Sequence, residues 1–359
     1  MHSFRFDSLP SRVVFGSGTL ATAPEEAEAL GCRRLMVIAT GSQAETAARV
    51  MALLGPAAGA LFARAAMHTP VEITAEAMGL VEAEGIDGLI AIGGGSAIGL
   101  GKALALRTDL PQIVIPTTYA GSEMTPVVGQ TEAGAKTTQR SSRVLPEAVI
   151  YDVDLTLSLP EMTSVTSGFN AIAHAAEALY ARAGNALLSA VAEDGVRLMA
   201  QALPRVVLDP GDAEARADAL EAAWLGGWSL ANGGSALHHR LCHVLGGAYG
   251  LPHAETHTIV LPHALAYNAP AAQGAMERLS RALRADHPAE GLFDLARTLG
   301  APSALRDIGM PEEGIELTVT AVLADPPWNP RPIEAGPLRE LLTRAWSGER
   351  PARMRWSPG

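Results

Sequence analysis

Apolar residues recur along this chain in two rhythms. Up to about residue 150, short apolar runs of strand length alternate with longer stretches whose apolar positions return every three or four residues. RVVFG (12–16), RRLMVIAT (33–40) and GALFARAA (59–66) read as strands, as do the apolar parts of DGLIAIGGGS (87–96) and PQIVIPTTYAGSE (111–123). Between them, PEEAEAL (24–30), GSQAETAARVMALLG (41–55), TPVEITAEAMGLVEAEG (69–85) and SAIGLGKALAL (96–106) read as helices. Strand–helix alternation of this kind predicts a parallel sheet covered by helices. Beyond YDVDLT the strand rhythm stops. Residues 155–183, 185–203, 213–234 and 275–285 are helical patterns with no β-rich run between them, and DPPWNPRP opens a proline-rich tail, expected to be extended. The expected organisation is an α/β N-terminal domain with a parallel, Rossmann-like sheet over 1–154, followed by an all-helical domain over 155–359.

Composition adjusts this picture only slightly. Hydrophobic residues make up 48% of the chain and aromatics 4%, so Ala, Leu, Val and Ile must do most of the packing. The formal charge of −11, without any run of Lys or Arg, argues against nucleic acid or an anionic membrane surface as partner. Cys32 and Cys242 are too far apart in sequence to suggest a disulfide framework, and Cys242 is expected to be small core filler. The start of the chain lacks the pattern of a signal peptide, and no apolar run suggests a membrane span, so a cytoplasmic protein is expected.

Two loops carry cofactor chemistry. In LIAIGGGSAIGLGK, a strand enters a helix through glycines, so backbone N–H groups and a helix N-terminus can meet a phosphate. The spacing is not G-x-G-x-x-G, because Ile98 stands at the third glycine position. Nor is it a P-loop, since Ser96 and Ala103 occupy the positions of the first glycine and the closing hydroxyl residue. PTTYAGSE, after the following strand, adds hydroxyls. Both loops would lie at the carboxyl ends of strands, where open parallel sheets bind ligands. Gly94, Gly95, Ser96, Thr117, Thr118 and Ser122 are therefore cofactor-binding candidates, and Thr40 and Lys136 are counted with them. No acid follows the 33–40 strand at the ribose position, only Ala39 and Thr40, so a 2′-phosphate should not be strongly rejected.

The second constellation is imidazole. Six of the ten histidines fall between His238 and His263, and His174 lies upstream. Asn170 and His174 are spaced i, i+4, as are His239 and His243, and His253 and His257. Each pair shares a helix face, and three such faces could converge into a pocket. His238 and His263 read as structural.

IGGGSAIGLGK, PTTYAGSEMTP, GFNAIAHAAEALY and HHRLCHVLGGAYGLPHAETHTIVLPHALAYN resemble the iron-containing alcohol dehydrogenase superfamily, which includes glycerol dehydrogenase and, more distantly, dehydroquinate synthase. Within it, PTTYAGSEMTP, KTTQRSSRVLPEAVIYD and PHAETH are most similar to the maleylacetate reductases. The resemblance implies a dehydroquinate synthase-like fold and a homodimer, through the strand at 12–16. It also implies NADH- or NADPH-dependent reduction of maleylacetate, a small anionic dicarboxylate, to 3-oxoadipate in aromatic-compound degradation. The superfamily's metal site, one aspartate and three histidines, falls here on Asn170, His174, His239 and His253. An amide in place of the only anionic ligand makes a tightly bound metal unexpected. His174, His239, His243 and His253 are then the catalytic candidates, with Asn170 and His257 binding substrate. The alternatives are a metal-dependent alcohol or glycerol dehydrogenase, and a lyase resembling dehydroquinate synthase.

Overall fold

The structure, a computed structural model, describes residues 4–132 and 135–352. Its contacts divide the chain into a sheet unit, Leu9–Leu159, and a helical unit running from Pro160, which also takes in the described residues up to Ser8. The sequence places this division at 154/155. The turn Val153–Thr156 stays with the sheet, where Ser17 Oγ donates to Asp154 Oδ1 at 2.7 Å.

In the sheet unit the elements run β1 (Arg12–Gly16), α1 (Ala23–Ala29), β2 (Leu35–Ile38), α2 (Ala44–Leu54), β3 (Ala58–Phe62), α3 (Val71–Ala83), β4 (Gly88–Gly93), α4 (Gly95–Thr108) and β5 (Gln112–Pro116). β6 (Val127–Glu132), β7 (Ala135–Arg140) and β8 (Ala148–Asp152) follow. Six strands form one parallel sheet in the order β1-β8-β5-β4-β2-β3. β4 and β5 are buried along their whole length, so they read as continuous apolar runs. Their side chains still alternate between faces. Val37, Ile90, Ile92, Ile113 and Ile115 belong to one core; Met36, Ile38, Leu89, Ala91 and Val114 belong to the other.

Three strands escape the sequence reading. β8, AVIYD, inserts between β1 and β5, so β1 is an edge strand whose partner comes from a segment 136 residues further on, Arg12 pairing with Ala148. β6 and β7 form a separate antiparallel ribbon, with the half-in, half-out alternation of VVGQTE as its signal.

The helical unit contains α5 (Glu161–Leu179), α6 (Ala186–Leu208), α7 (Ala213–Gly233), α8 (Leu237–Tyr249), α9 (His253–Asn268), α10 (Gln273–Leu283), α11 (Pro288–Thr298), α12 (Gly314–Ala324) and α13 (Ala335–Ser347). The tail expectation needs correction. Residues 325–334 are irregular, but α13 follows and buries Leu338, Leu341, Leu342 and Ala345 against α9 and α12. Its apolar spacing is helical, and the prolines before it hide that in a composition-based reading.

α5, α6 and α7 pack closely because small residues line their crossings. A methyl added at Gly226 would sit 2.6 Å from the Ala171 carbonyl oxygen, and one at Gly168 would sit 2.8 Å from Met199 Sδ. α5, whose residues from Ser164 to Leu179 are buried without a break, is thereby fixed as the central rod of the unit.

Candidate active site

In the sheet unit, β4 ends at Gly93 with φ of 137°, a conformation that favours glycine. Gly94 then caps α4 in extended conformation without a side-chain cap. A Cβ at Gly94 would lie 2.9 Å from Thr118 Cγ2, so a side chain there would press on the Thr118 side chain of the next loop. The Thr117 N–H donates to the Gly93 carbonyl at 3.1 Å, which ties the two loops together. Gly95 and Ser96 open α4, and its first N–H groups have no partner from a cap side chain. Free N–H groups at a helix start of this kind can receive an anion. Thr40 follows β2 and shares a 2.9 Å hydrogen bond with the Ser42 hydroxyl. Lys136 lies on β7, where its side chain falls outside the described part of the structure.

Lys102, which resembles a P-loop lysine in sequence, turns inward instead. Its buried ammonium donates to the carbonyls of Ser122, Thr125 and Val127, at 2.5, 2.6 and 3.1 Å, and also lies 3.1 Å from Thr125 Oγ1. It therefore fastens the PTTYAGSE loop from below, binding Ser122 through its carbonyl. Burial pulls Lys102 down to about 7, with Glu123 opposing the shift. Burial likewise pushes up both Glu123 and Tyr151, which share a 2.8 Å hydrogen bond.

If the loops cradle a cofactor, Gly94→Ala should raise the KM for NADH about tenfold or more, by forcing Thr118 outward. Steady-state kinetics with NADH as the varied substrate checks this, and an unchanged KM counts against the cradle.

In the helical unit, α5, α8 and α9 bring the predicted histidines together. The His174 ring stacks on His239 with centroids 5.1 Å apart. His257 meets His239 at 4.9 Å, His253 at 4.3 Å and His238 at 4.8 Å, each edge to face. His243 and His253 stack at 6.3 Å and are half-buried at the margin. Asn170 is buried on α5, one turn before His174.

Sequence reasoning missed Glu177. This fully buried carboxylate sits three residues after His174, on the same helical face, and that spacing was its available signal. It accepts from the backbone N–H groups of Ala236 and His238, both at 2.8 Å, and from His239 Nδ1 at 2.6 Å. It thus caps the N-terminus of α8 from another helix, where the helix dipole favours a negative group. His238, read as structural, holds His257 through a 2.9 Å contact between Nε2 and Nδ1. Burial, reinforced by neighbouring imidazoles, pushes both His238 and His257 well below the ordinary histidine range. His263 is a true core histidine, pulled by burial to about 3.

The donor set suits a metal poorly. Asn170, His174, His239 and His253 are all neutral donors, while the carboxylate beside them is occupied by three N–H groups. His238, Cys242 and His257 lie within metal-ligand spacing of one another. There, however, a hydrogen bond already joins the two ring nitrogens, and a cation would have to break it.

Comparison with known proteins agrees with both halves. Residues 10–153 match the family described as iron-containing alcohol dehydrogenase, and residues 164–346 match the C-terminal part of the same family. Maleylacetate reductase from Burkholderia cepacia is 50% identical over 98% of this chain and 100% of its own length. The enzyme of that name from Sphingobium indicum is 50% identical over 96% of this chain and 98% of its own. The crystal structure of maleylacetate reductase from Agrobacterium tumefaciens superposes with a TM-score of 0.93 at 49% identity, covering 98% of this chain and 100% of that one.

Proposed function

Since the chain belongs to the iron-containing alcohol dehydrogenase family, we propose that it catalyses the NAD(P)H-dependent reduction of maleylacetate to 3-oxoadipate in the breakdown of aromatic compounds. The observation that carries this reading is the imidazole pocket with Asn170 at its corner. It offers ring nitrogens to an oxygen acquiring charge and lacks an anionic ligand for a metal.

Gly94, Gly95 and Ser96 would hold the pyrophosphate of the dinucleotide, with Thr117, Thr118 and Ser122 on the adjoining loop. When bound, the reduced nicotinamide supplies the hydride. The substrate's carbon–carbon double bond is conjugated to its ketone. Hydride addition at the carbon β to that ketone therefore sends the electron pair onto the ketone oxygen as an enolate. His243 and His253, supported by His174 and His239, orient and polarise this oxygen as an oxyanion hole does, and His257 binds the substrate. A proton then arrives at the α-carbon, from one of these rings or a water they hold, and the saturated ketone results. Together, hydride and proton add two hydrogens across the double bond. Asn170 binds the substrate through its amide. We infer further that no tightly held metal takes part, that NADPH is accepted because Ala39 and Thr40 offer no carboxylate, and that two copies associate through the open edge of β1.

The deciding experiment follows NADH absorbance with maleylacetate as oxidant, with and without chelator. Turnover insensitive to chelator is expected. An enzyme inert towards maleylacetate, or one silenced by chelator and restored by a divalent ion, overturns the corresponding part of the reading.

A further inference from the structure

The proline-rich segment DPPWNPRP (325–332) supplies no residue to the histidine pocket, but its side chains reach two of the helices that do. α8 has no cap of its own, because its N-cap residue is Ala236. Glu177 takes the N–H groups of Ala236 and His238. The N–H between them, that of Leu237, donates to Asn329 Oδ1 in a longer bond of 3.4 Å. The same oxygen accepts from Asn268 Nδ2 at 3.0 Å, and Asn329 Nδ2 donates back to Asn268 Oδ1 at 2.7 Å. Asn329 Nδ2 also donates to the Arg331 carbonyl at 2.7 Å, and since a carbonyl can only accept, this fixes which way the amide faces. Asn268 is fully buried and ends α9, so a single amide joins the start of α8 to the end of α9. The segment is held on either side of that amide. Asp325 pairs with Arg240 of α8 at 3.0 Å. Arg331 lies over the Tyr267 ring at 4.3 Å and donates to the Tyr267 carbonyl, while the Tyr267 hydroxyl donates to the Pro332 carbonyl at 2.7 Å. Pro330 restricts Asn329 to extended backbone, and Pro326 and Pro327 stiffen the approach, so presenting this amide costs little chain entropy.

We propose that Asn329 is a positioning residue for the histidine pocket, which through its reciprocal amide pair with Asn268 holds α8 and α9 in one register. His239 follows Leu237 by two residues in the first turn of α8, and His257 of α9 meets it with ring centroids 4.9 Å apart. A helix start that loses Asn329 is free to slide against α9, and the two rings move with it. Building on the proposed reductase reading, the step that needs their geometry is the polarisation of the ketone oxygen. The loop at Gly94, Gly95 and Ser96 belongs to the sheet unit and uses none of these residues. Loss of Asn329 therefore acts on kcat and leaves the KM for NADH in place.

Asn329→Leu, similar in shape but without donor or acceptor, should lower kcat with maleylacetate about 30-fold, with the KM for NADH changing less than about threefold. Displacements of about 1 Å at reacting groups have effects of this order. Asn268→Leu should do the same, and the double variant should lose little more than either single one, because the two amides act as a unit. Asp325→Ala breaks only an exposed ion pair and should keep kcat within about twofold. In the intact protein labelled with ¹³C-histidine, the ring Cε1–H signals of His239 and His257 should shift in Asn329→Leu. Those of His287, ahead of α11, should stay in place. Unmoved His239 and His257 signals, an unchanged kcat, or losses that add in the double variant overturns the proposal. In the parent labelled with ¹⁵N-asparagine, the side-chain amide protons of Asn268 and Asn329 should exchange slowly with solvent. Rapid exchange overturns the pairing even if every variant fails to fold. Should maleylacetate prove not to be turned over, the ring shifts and the amide protection still decide, so the two readings fail separately.

Discussion

Lys102→Met should destabilise the protein by about 3 kcal/mol and raise the KM for NADH at the same time. Methionine matches the volume of the lysine stem but donates nothing, so the carbonyls of Ser122, Thr125 and Val127 lose their shared donor in a buried site. Buried acceptors left in this way cost about 1–3 kcal/mol each before relaxation. The loop they belong to carries Thr117, Thr118 and Ser122, hence the coupled effect on the cofactor. A pH dependence separates this from simple loss of packing. Lys102 falls from 10.5 to about 7 on burial, so between those values the unfolded chain binds the extra proton. Its contribution to stability therefore rises with pH across that window, by up to about 1.4 kcal/mol per unit. Below pH 7 the cost of burying the charge is present in full. Urea denaturation between pH 6.5 and 9.5 should show a shallower rise in Lys102→Met than in the parent. Equal stabilities and equal slopes would show that the ammonium is not the fastener.

Gly226→Ala is the second large effect, and it acts through one methyl group. Its Cβ would lie 2.6 Å from the carbonyl oxygen of Ala171, a backbone atom in the middle of α5 that cannot swing aside like a side chain. Either α7 or α5 must shift. Overpacking of this kind costs about 1–3 kcal/mol and occasionally more, and the upper end is expected because the obstacle is backbone. For a unit of this size, about 3 kcal/mol corresponds to a Tm lower by roughly 6–12 °C. Since Asn170, His174 and Glu177 ride on α5, kcat should fall too. Gly79→Ala, in α3 with no heavy atom within 4 Å of the added methyl, is the contrasting case. It should stabilise by about 0.5–1 kcal/mol through helix propensity. If calorimetry shows Gly226→Ala melting with the parent, the closeness of the α5–α7 crossing is wrong.

How much of this was legible beforehand depended on whether the cause was local. β4 and β5 announce themselves because strands covered on both faces are apolar throughout, and the helices betray themselves by period. β8 is as apolar as β4, yet it follows the polar β7, and its place beside β1 rests on a pairing across most of the unit that no local window contains. α13 was hidden by the prolines before it. Among the site residues, the i, i+4 histidine pairs were visible as spacing and do come together. Lys102 stands where a P-loop would carry its lysine, a motif that the spacing rejects, and its partners in space are carbonyls. Glu177 escaped notice, and His238 was read only as structural, because spacing alone does not show partners. Their roles are set by what lies opposite, on α8 and α9, and a single carboxylate or imidazole in a helical pattern does not say what faces it.

The carboxylate of Glu177 reaches its three N–H partners only when α5 is formed and the N-terminus of α8 has arrived beside it. A partly assembled chain cannot offer the pocket in half-made form, because the same side chain caps α8 and holds the His239 ring that α8 carries. The pocket is therefore complete only once α5 and α8 are packed together. For this protein, recovered turnover after denaturation should track native packing more faithfully than recovered helicity, since α5 can regain its hydrogen bonds before anything has met its glutamate.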